Sequence, residues 1–288
     1  MKKSTFLHLR IPFSFFLLPV FLFAWSIMPD VDLIRFISVF VILHFLIYPA
    51  SNGYNSYFDK DEDSIGGLKE PPKVSKELYY YSLLLDLIAI IWAAWINWYF
   101  AIFILIYGLV SKAYSHPSVR LKKMPYVGWF AAGFFQGYFT FLTTVIGLQG
   151  ADWSLIVDSK VQYPAVLSTM LLFGSYPMTQ IYQHDEDARR GDLTISRILG
   201  VLGTFHFTAI AFFISSIGFF LFYYRFVSLN DGIIFYLSLL PVLIFFNTWY
   251  LKARKDRSTA NFERTMRLNM LSAICLNLFF IYQGFFGG

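Results

Sequence analysis

Charged residues are scarce in this chain of 288 residues. Only 14% are Asp, Glu, Lys or Arg, whereas 57% are hydrophobic and 21% aromatic. A soluble domain carries about 25% charged residues, so this balance excludes an ordinary soluble protein and indicates a membrane protein. The single cysteine, Cys275, excludes an intramolecular disulfide. Neither a zinc-binding pattern nor a Walker-type glycine loop is present.

Long apolar runs make up most of the sequence. Barrel strands would alternate apolar and polar residues, but these runs are continuously apolar, so we predict an all-α membrane protein with one domain, 1–288. Lys2, Lys3 and Arg10 before the first run also fit a signal peptide, but eight further runs favour a first span. At about 20 residues per span, nine transmembrane helices are predicted: 11–28, 33–57, 77–96, 98–114, 126–148, 163–184, 203–224, 232–251 and 266–286.

Lysine and arginine are concentrated in alternate segments between these spans. Twenty of the 23 lie in the N-terminal segment and in the segments 58–76, 112–125, 185–202 and 252–267. Because basic loops stay in the cytoplasm, we predict a cytoplasmic N-terminus. The basic pI of about 9.1 then reflects topology, and we expect no nucleic-acid partner.

A first acidic cluster closes the second predicted span. Asn55, Asp59 and Asp63 are spaced i, i+4, i+8, so a helix would place all three on one face. Carboxylates stacked at a membrane edge repel one another unless a cation lies between them. Mg²⁺ prefers oxygen ligands and keeps waters and substrate phosphates in its shell. These three residues therefore predict a binding site for a metal-bound diphosphate. The alternative is a solvated helix end of mixed charge, which Lys60 would allow.

A second acidic cluster lies four helices later, on the same predicted side of the membrane. Gln183 and Asp187 are again i, i+4, at the end of the sixth predicted span, where Pro177 can kink the helix. Two acidic helix ends on one side predict a metal site between two half-bundles.

These motifs resemble those of the UbiA-type intramembrane prenyltransferases. Asn55-x3-Asp59-x3-Asp63 resembles the first aspartate-rich motif, and 187–200 is similar to the second motif and its tail. The segment 114–122 is similar to a Tyr-Ser-x-x-Pro-x-Arg-Leu-Lys stretch of several members, and the resemblance covers nearly the whole chain. There is one departure: the family has two aspartates four apart in the second motif, and here the first is the neutral Gln183.

The resemblance implies a nine-helix bundle around a central cavity that opens on the cytoplasmic side of an inner or cytoplasmic membrane. It implies Mg²⁺-dependent transfer of a prenyl group from a prenyl diphosphate to an aromatic or other lipid-precursor acceptor, as in quinone biosynthesis. The diphosphate ionises and the acceptor captures the allylic cation. Catalytic roles fall on Asn55, Asp59, Asp63 and Asp187, and metal binding on these four and Gln183. The implied substrate-binding residues are Lys69, Lys73, Tyr114, Arg120, Lys122, Tyr182, Arg189 and Arg190.

Two other classes of function remain open from the sequence. An ion-coupled transporter also uses intramembrane acids, but it places them near the midplane and often contains inverted repeats, whereas these acids crowd one edge. A catalytically weakened isoprenoid-binding paralogue is favoured by Gln183. Asp86, within the third predicted span, requires a partner that the sequence does not identify.

Overall fold

The computed structural model describes residues 1–28 and 30–287. These residues form helices and no β-strand, and Ile65 and Leu68 alone make an isolated β-bridge. The all-α prediction is therefore confirmed. The α-helical segments are α1 (Lys3–Leu9), α2 (Leu18–Ser26), α3 (Leu33–Val41), α4 (Tyr48–Asp59), α5 (Glu77–Ile96), α6 (Trp98–Ser115), α7 (Pro125–Phe134), α8 (Thr140–Gln149), α9 (Trp153–Ile156), α10 (Ser159–Gln180), α11 (His184–Arg190), α12 (Ile195–Phe226), α13 (Leu229–Lys255) and α14 (Phe262–Phe286).

Short irregular turns join several segments into longer helices. The π-helical turn Ile42–Ile47 connects α3 to α4, and a second one, Phe135–Phe139, connects α7 to α8. At the N-terminus the 3₁₀ turn Ile11–Phe16 precedes α2, and the chain bends there by 42°. Asn97 both ends α5 and caps α6, where its side chain accepts hydrogen bonds from two main-chain N–H groups.

Seven helices of the described residues are long and apolar enough to cross a membrane, and the bent N-terminal pair would make eight. They mark a multi-pass membrane protein. α10, which corresponds to the predicted sixth span, has 22 residues but is not among the seven. The count of nine spans and the cytoplasmic N-terminus therefore stay predictions.

The helices close into a bundle because the last helix, α14, packs against α2 near the N-terminus. α14 lies against α2, α10 against α12 and α7, and α4 against α5 and α6. The Phe23 ring of α2 stacks on the Phe280 ring of α14 with centroids 4.5 Å apart. Small residues allow close approach between helices in a membrane. Gly137 is one of them, since it lies directly against the Thr169 backbone of α10. This packing encloses a central space.

Candidate active site

The two acidic clusters meet at one end of the bundle. The main-chain N–H of Glu62, just after α4, donates a 3.1 Å hydrogen bond to Glu186 Oε1 on α11. Asp63 and Asp61 form ion pairs with Arg189 and Arg190 of the same helix. The two acidic clusters therefore lie together at one end of the bundle, and the side of the membrane that they face stays a prediction.

A cavity of about 770 Å³ extends from this end into the bundle. Away from the acidic clusters its lining is mainly aromatic and aliphatic, with neutral hydroxyl and amide groups. The charged and amide side chains that line it from the motifs and nearby segments are Arg10, Asn52, Asn55, Asp59, Asp61, Lys122, Gln180, Gln183, Asp187 and Asp192. The cavity is thus charged at one end and mainly apolar along the rest of its length.

The predicted helical row of three residues is wrong in its last member. α4 ends at Asp59 because Lys60 takes the left-handed conformation (φ 49°, ψ 47°), and its N–H bonds back to the Ser56 carbonyl. Asp63 therefore lies in the following loop, where 59% of its side chain is exposed, and does not line the cavity. Asn55 and Asp59 do line it, and Asn55 Oδ1 accepts a hydrogen bond from Ser115.

The second cluster lies on a short separate helix instead of the end of a span. α10 ends at Gln180, because the Ile181 N–H bonds to the Met178 carbonyl and tightens the last turn. Gln183 then precedes α11, and the Asp187 N–H donates 2.8 Å to the Gln183 carbonyl, so the i, i+4 register is kept. Both side chains line the cavity.

The two members of this cluster have different surroundings. Gln183 Nε2 donates to the Ser64 carbonyl at 3.3 Å, a contact that an aspartate could not make. Asp187 accepts a hydrogen bond of 3.2 Å from Thr194, and burial raises the pKa of its carboxyl to about 6. The pKa indicates a carboxylate that water stabilises poorly and that a cation would stabilise well.

Lys122 is an implied substrate-binding cation that both lines the cavity and pairs with acids there. Its Nζ lies 2.7 Å from Asp59 Oδ1 and 3.5 Å from Asp192 Oδ2. Arg120, from the same loop, donates to Asp192 Oδ2 at 3.0 Å but does not itself line the cavity.

Both implied tyrosines, Tyr114 and Tyr182, line the cavity. The Tyr114 hydroxyl of α6 hydrogen-bonds to the Tyr176 hydroxyl of α10, and the Tyr182 ring packs edge-on against Phe262 with the ring centroids 5.4 Å apart.

The other implied cations lie away from the cavity lining. Lys69 pairs with Glu263 at 2.8 Å, and about two-thirds of each side chain is exposed. Lys73 is exposed in the segment before α5. Arg189 and Arg190 are engaged by the acids of the first cluster. These four residues hold loops together or face solvent.

Three charged residues at the cavity were not predicted as site residues. Arg10 donates to the main-chain carbonyls of Gly66 (3.1 Å) and Asn52 (3.4 Å) and lines the cavity. Asp61 and Asp192 line it as well. Arg10 was read as a topological charge, whereas Asp192 could have been noticed as an acid directly after a helix-ending glycine in the second motif.

The donor atoms at this end suit a hard cation such as Mg²⁺. Asn55, Asp59 and Asp187 offer amide and carboxylate oxygens, and Mg²⁺ is usually held by one or two carboxylates with water and substrate phosphates. Within residues 1–28 and 30–287, no three acidic, histidine or cysteine side chains converge closely enough to hold a metal ion. The residues therefore fit a cation whose shell is completed by phosphate oxygens and water.

Solved structures of UbiA homologues have a similar fold. A UbiA homologue from Archaeoglobus fulgidus bound to DMAPP and Mg²⁺ has a TM-score of 0.71 and 18% identity over 98% of both chains, and so does the homologue bound to GPP and Mg²⁺. A structure of digeranylgeranylglyceryl phosphate synthase has a TM-score of 0.63 and 19% identity over 98% of both chains. At these identities the likeness shows the fold. No curated protein matches the chain significantly.

The family assignment rests on the sequence as well as on the fold. The model of the UbiA prenyltransferase family matches residues 13–272, which is most of the chain. The chain therefore belongs to the UbiA prenyltransferase family.

Proposed function

We propose that the protein transfers a prenyl group from a Mg²⁺-bound prenyl diphosphate to an aromatic or other lipid-precursor acceptor. The observation that carries this proposal is the cavity, where Asn55, Asp59, Asp187 and Lys122 surround the polar end of an otherwise largely apolar space. Family membership and the prenyl diphosphates and Mg²⁺ bound by the A. fulgidus homologue support it.

The polar end of the cavity suits the diphosphate. Asn55, Asp59 and Asp187 would hold Mg²⁺, which when bound neutralises charge that develops on the departing diphosphate. Lys122 and Arg10, the cationic side chains among the described residues that line the cavity, stabilise the same charge electrostatically. Asp63, Lys69, Lys73, Arg189 and Arg190 are not needed for this grip, because their side chains lie outside the lining.

The apolar part of the cavity suits the prenyl chain and the reactive cation. Cleavage of the C–O bond leaves its electron pair on the diphosphate and an allylic cation on the chain. The acceptor supplies the electron pair of the new bond and loses a proton. Aromatic faces, including those of Tyr114 and Tyr182, stabilise the cation, and the apolar lining excludes water that would capture it first.

Nine spans with a cytoplasmic N-terminus form part of the proposal. α10 then counts as the sixth span, and the polar end of the cavity faces the cytoplasm, where soluble prenyl diphosphates are available. The segments that meet at this end carry 11 of the 20 basic residues on the proposed cytoplasmic side, four in 58–76, four in 112–125 and three in 185–202.

Diphosphate release by the purified, detergent-solubilised protein tests the function. The protein is given farnesyl, geranylgeranyl or longer prenyl diphosphates, with Mg²⁺ or EDTA, and a panel of aromatic and phosphate acceptors. We expect release that requires both Mg²⁺ and one acceptor. Tight Mg²⁺-dependent binding without turnover would instead identify an isoprenoid-binding paralogue, which Gln183 favours. If the protein neither binds nor turns over any prenyl diphosphate, the proposal is overturned and the transporter returns to consideration.

A further inference from the structure

Lys122 is shared by two carboxylates at the polar end of the cavity. Its Nζ lies 2.7 Å from Asp59 Oδ1 and 3.5 Å from Asp192 Oδ2. All three side chains are largely buried, with exposed fractions of 13% for Lys122, 10% for Asp59 and 1% for Asp192. Because Lys122 already neutralises Asp59, it competes with any divalent cation that binds this carboxylate.

Asp192 is held where its carboxylate can form an ion pair with Lys122 once Lys122 leaves Asp59. Its Oδ2 accepts a 3.0 Å hydrogen bond from Arg120, and its main-chain N–H donates 2.9 Å to the Asp187 carbonyl, so the residue is fixed at both ends. Its Oδ1 is buried and accepts no hydrogen bond from the described residues. Asp192 Oδ2 is thus held by Arg120 and lies 3.5 Å from the Lys122 ammonium, whereas Oδ1 has no donor among the described residues.

We propose that Asp192 is a positioning residue that receives Lys122 when a divalent cation binds Asp59. The inference rests on the proposed function, because it requires Asp59 to bind a cation. In this exchange the ammonium keeps its protons, leaves Asp59 and forms a closer ion pair with Asp192. No covalent bond changes.

The exchange has a clear electrostatic reason. A buried ammonium without a partner is strongly destabilising, so Lys122 releases Asp59 only if a second acid is at hand. Asp192 supplies that acid. Its negative charge also replaces, within the second motif, the charge that Gln183 lacks. Without Asp192, Lys122 stays on Asp59 and the affinity for the cation falls.

A double-mutant cycle on the full-length protein in detergent tests this exchange. Mn²⁺ binding is measured by electron paramagnetic resonance in the presence of geranyl S-thiolodiphosphate, a donor analogue that resists ionisation. We expect Asp192→Asn to weaken Mn²⁺ binding by about tenfold or more, because Lys122 then remains on Asp59. Adding Lys122→Gln to Asp192→Asn should return the Mn²⁺ affinity to that of Lys122→Gln alone, because the competitor is gone.

Two further variants keep the result interpretable. Asp185→Asn removes the same charge from an exposed position on α11 and should leave Mn²⁺ binding unchanged. Asp192→Glu keeps the carboxylate and should retain most of the affinity, and thermal unfolding checks that each variant is folded.

Each possible result separates the inference from the proposed function. Equal Mn²⁺ affinity in the unmodified protein and Asp192→Asn overturns the inference and leaves the function intact. A loss in Asp192→Asn that Lys122→Gln does not restore also overturns it, because Asp192 would then act as a cation ligand. Failure of the unmodified protein to bind Mn²⁺ with the analogue counts against the proposed function itself.

Discussion

Asp59 and Asp63 carry the same charge four residues apart, yet their surroundings differ. Asp59 is 10% exposed and lines the cavity, whereas Asp63 is 59% exposed and pairs with Arg189 outside it. We expect Asp59→Ala to lower Mg²⁺-dependent diphosphate release by about 100-fold or more, as the loss of a main electrostatic group does. Asp63→Ala should cost at most about fivefold, because an exposed ion pair contributes about 1 kcal/mol or less.

Initial rates of diphosphate release at saturating Mg²⁺ give this comparison, with Asp63→Ala as the matched control for Asp59→Ala. Losses of equal size would mean that the loop after α4 carries Asp63 into the site when substrate binds.

The structure identifies Lys112 as the partner of Asp86, which the sequence did not reveal. Its carboxylate on α5 forms an ion pair with Lys112 on α6, whose Nζ also lies 5.3 Å from the centre of the Tyr54 ring. Both side chains are largely buried, so removing one partner leaves an uncompensated charge and destabilises the fold by about 3–5 kcal/mol.

Asp86→Ala should therefore unfold at a markedly lower temperature in detergent, measured by tryptophan fluorescence. The double variant Asp86→Ala/Lys112→Met, which removes both charges, should recover most of the loss. A double variant no more stable than Asp86→Ala would show that the ion pair is not the cause.

The sequence predicted which residues line the cavity less well near the ends of helices, because the residue at which a helix ends cannot be read from spacing alone. Asn55, Asp59, Gln183 and Asp187 all line the cavity, and their role as metal ligands stays a prediction. Asp63 was misplaced, since nothing in the spacing shows that Lys60 turns left-handed and ends α4. Asp192 was missed because its partners, Arg120 and Lys122, are about 70 residues away in sequence.

At the scale of helices, the close contact between the α7–α8 helix and α10 gives a stringent test of the packing. A Cβ added at Gly137 would lie 2.5 Å from the Thr169 Cα, and the Tyr138 N–H donates to Thr169 Oγ1 at 2.7 Å. Backbone atoms cannot move aside as a flexible side chain can. We expect Gly137→Ala to destabilise the protein by about 1–3 kcal/mol through overpacking.

Gly108→Ala is the matched control for this change. Its added Cβ would meet side-chain atoms only at 3.7 Å, which is ordinary van der Waals contact. In thermal unfolding, Gly108→Ala should be neutral or slightly stabilising, since alanine favours a helix more than glycine does. Equal stability of the two variants would contradict the close approach of α10 to the π-helical turn.

Apolar length predicted the helices well and their ends less well. Eight of the nine predicted spans correspond to helices that the described residues show to be long and apolar enough, if the bent N-terminal pair counts as one. α12 begins at Ile195, before the predicted 203, and breaks at Gly200 (φ 65°, ψ 174°). The apolar pattern marks only the part of a helix in contact with lipid. Polar turns at either end of the helix are therefore left out of the predicted span.

For the whole molecule, orientation in the membrane decides from which side the diphosphate enters. Cys275 is the only cysteine in the sequence and is buried, so replacing it with serine gives a background for single-cysteine labelling. Ser118 is exposed in the loop that carries Arg120 and Lys122, and Ser154 is exposed in α9, between the fifth and sixth proposed spans. These two positions lie on opposite sides of the membrane if nine spans are correct.

In intact cells, we expect a membrane-impermeant maleimide to label Ser154→Cys but not Ser118→Cys, because only α9 would face outward. Permeabilised cells should allow labelling of both, which controls for reactivity and expression. Labelling of Ser118→Cys in intact cells would place the acidic clusters outside, and labelling of both or neither would show an even number of crossings between them. The basic residues of the 112–125 segment favour the inside position, since their transfer across the membrane would oppose the positive-inside distribution of the whole chain.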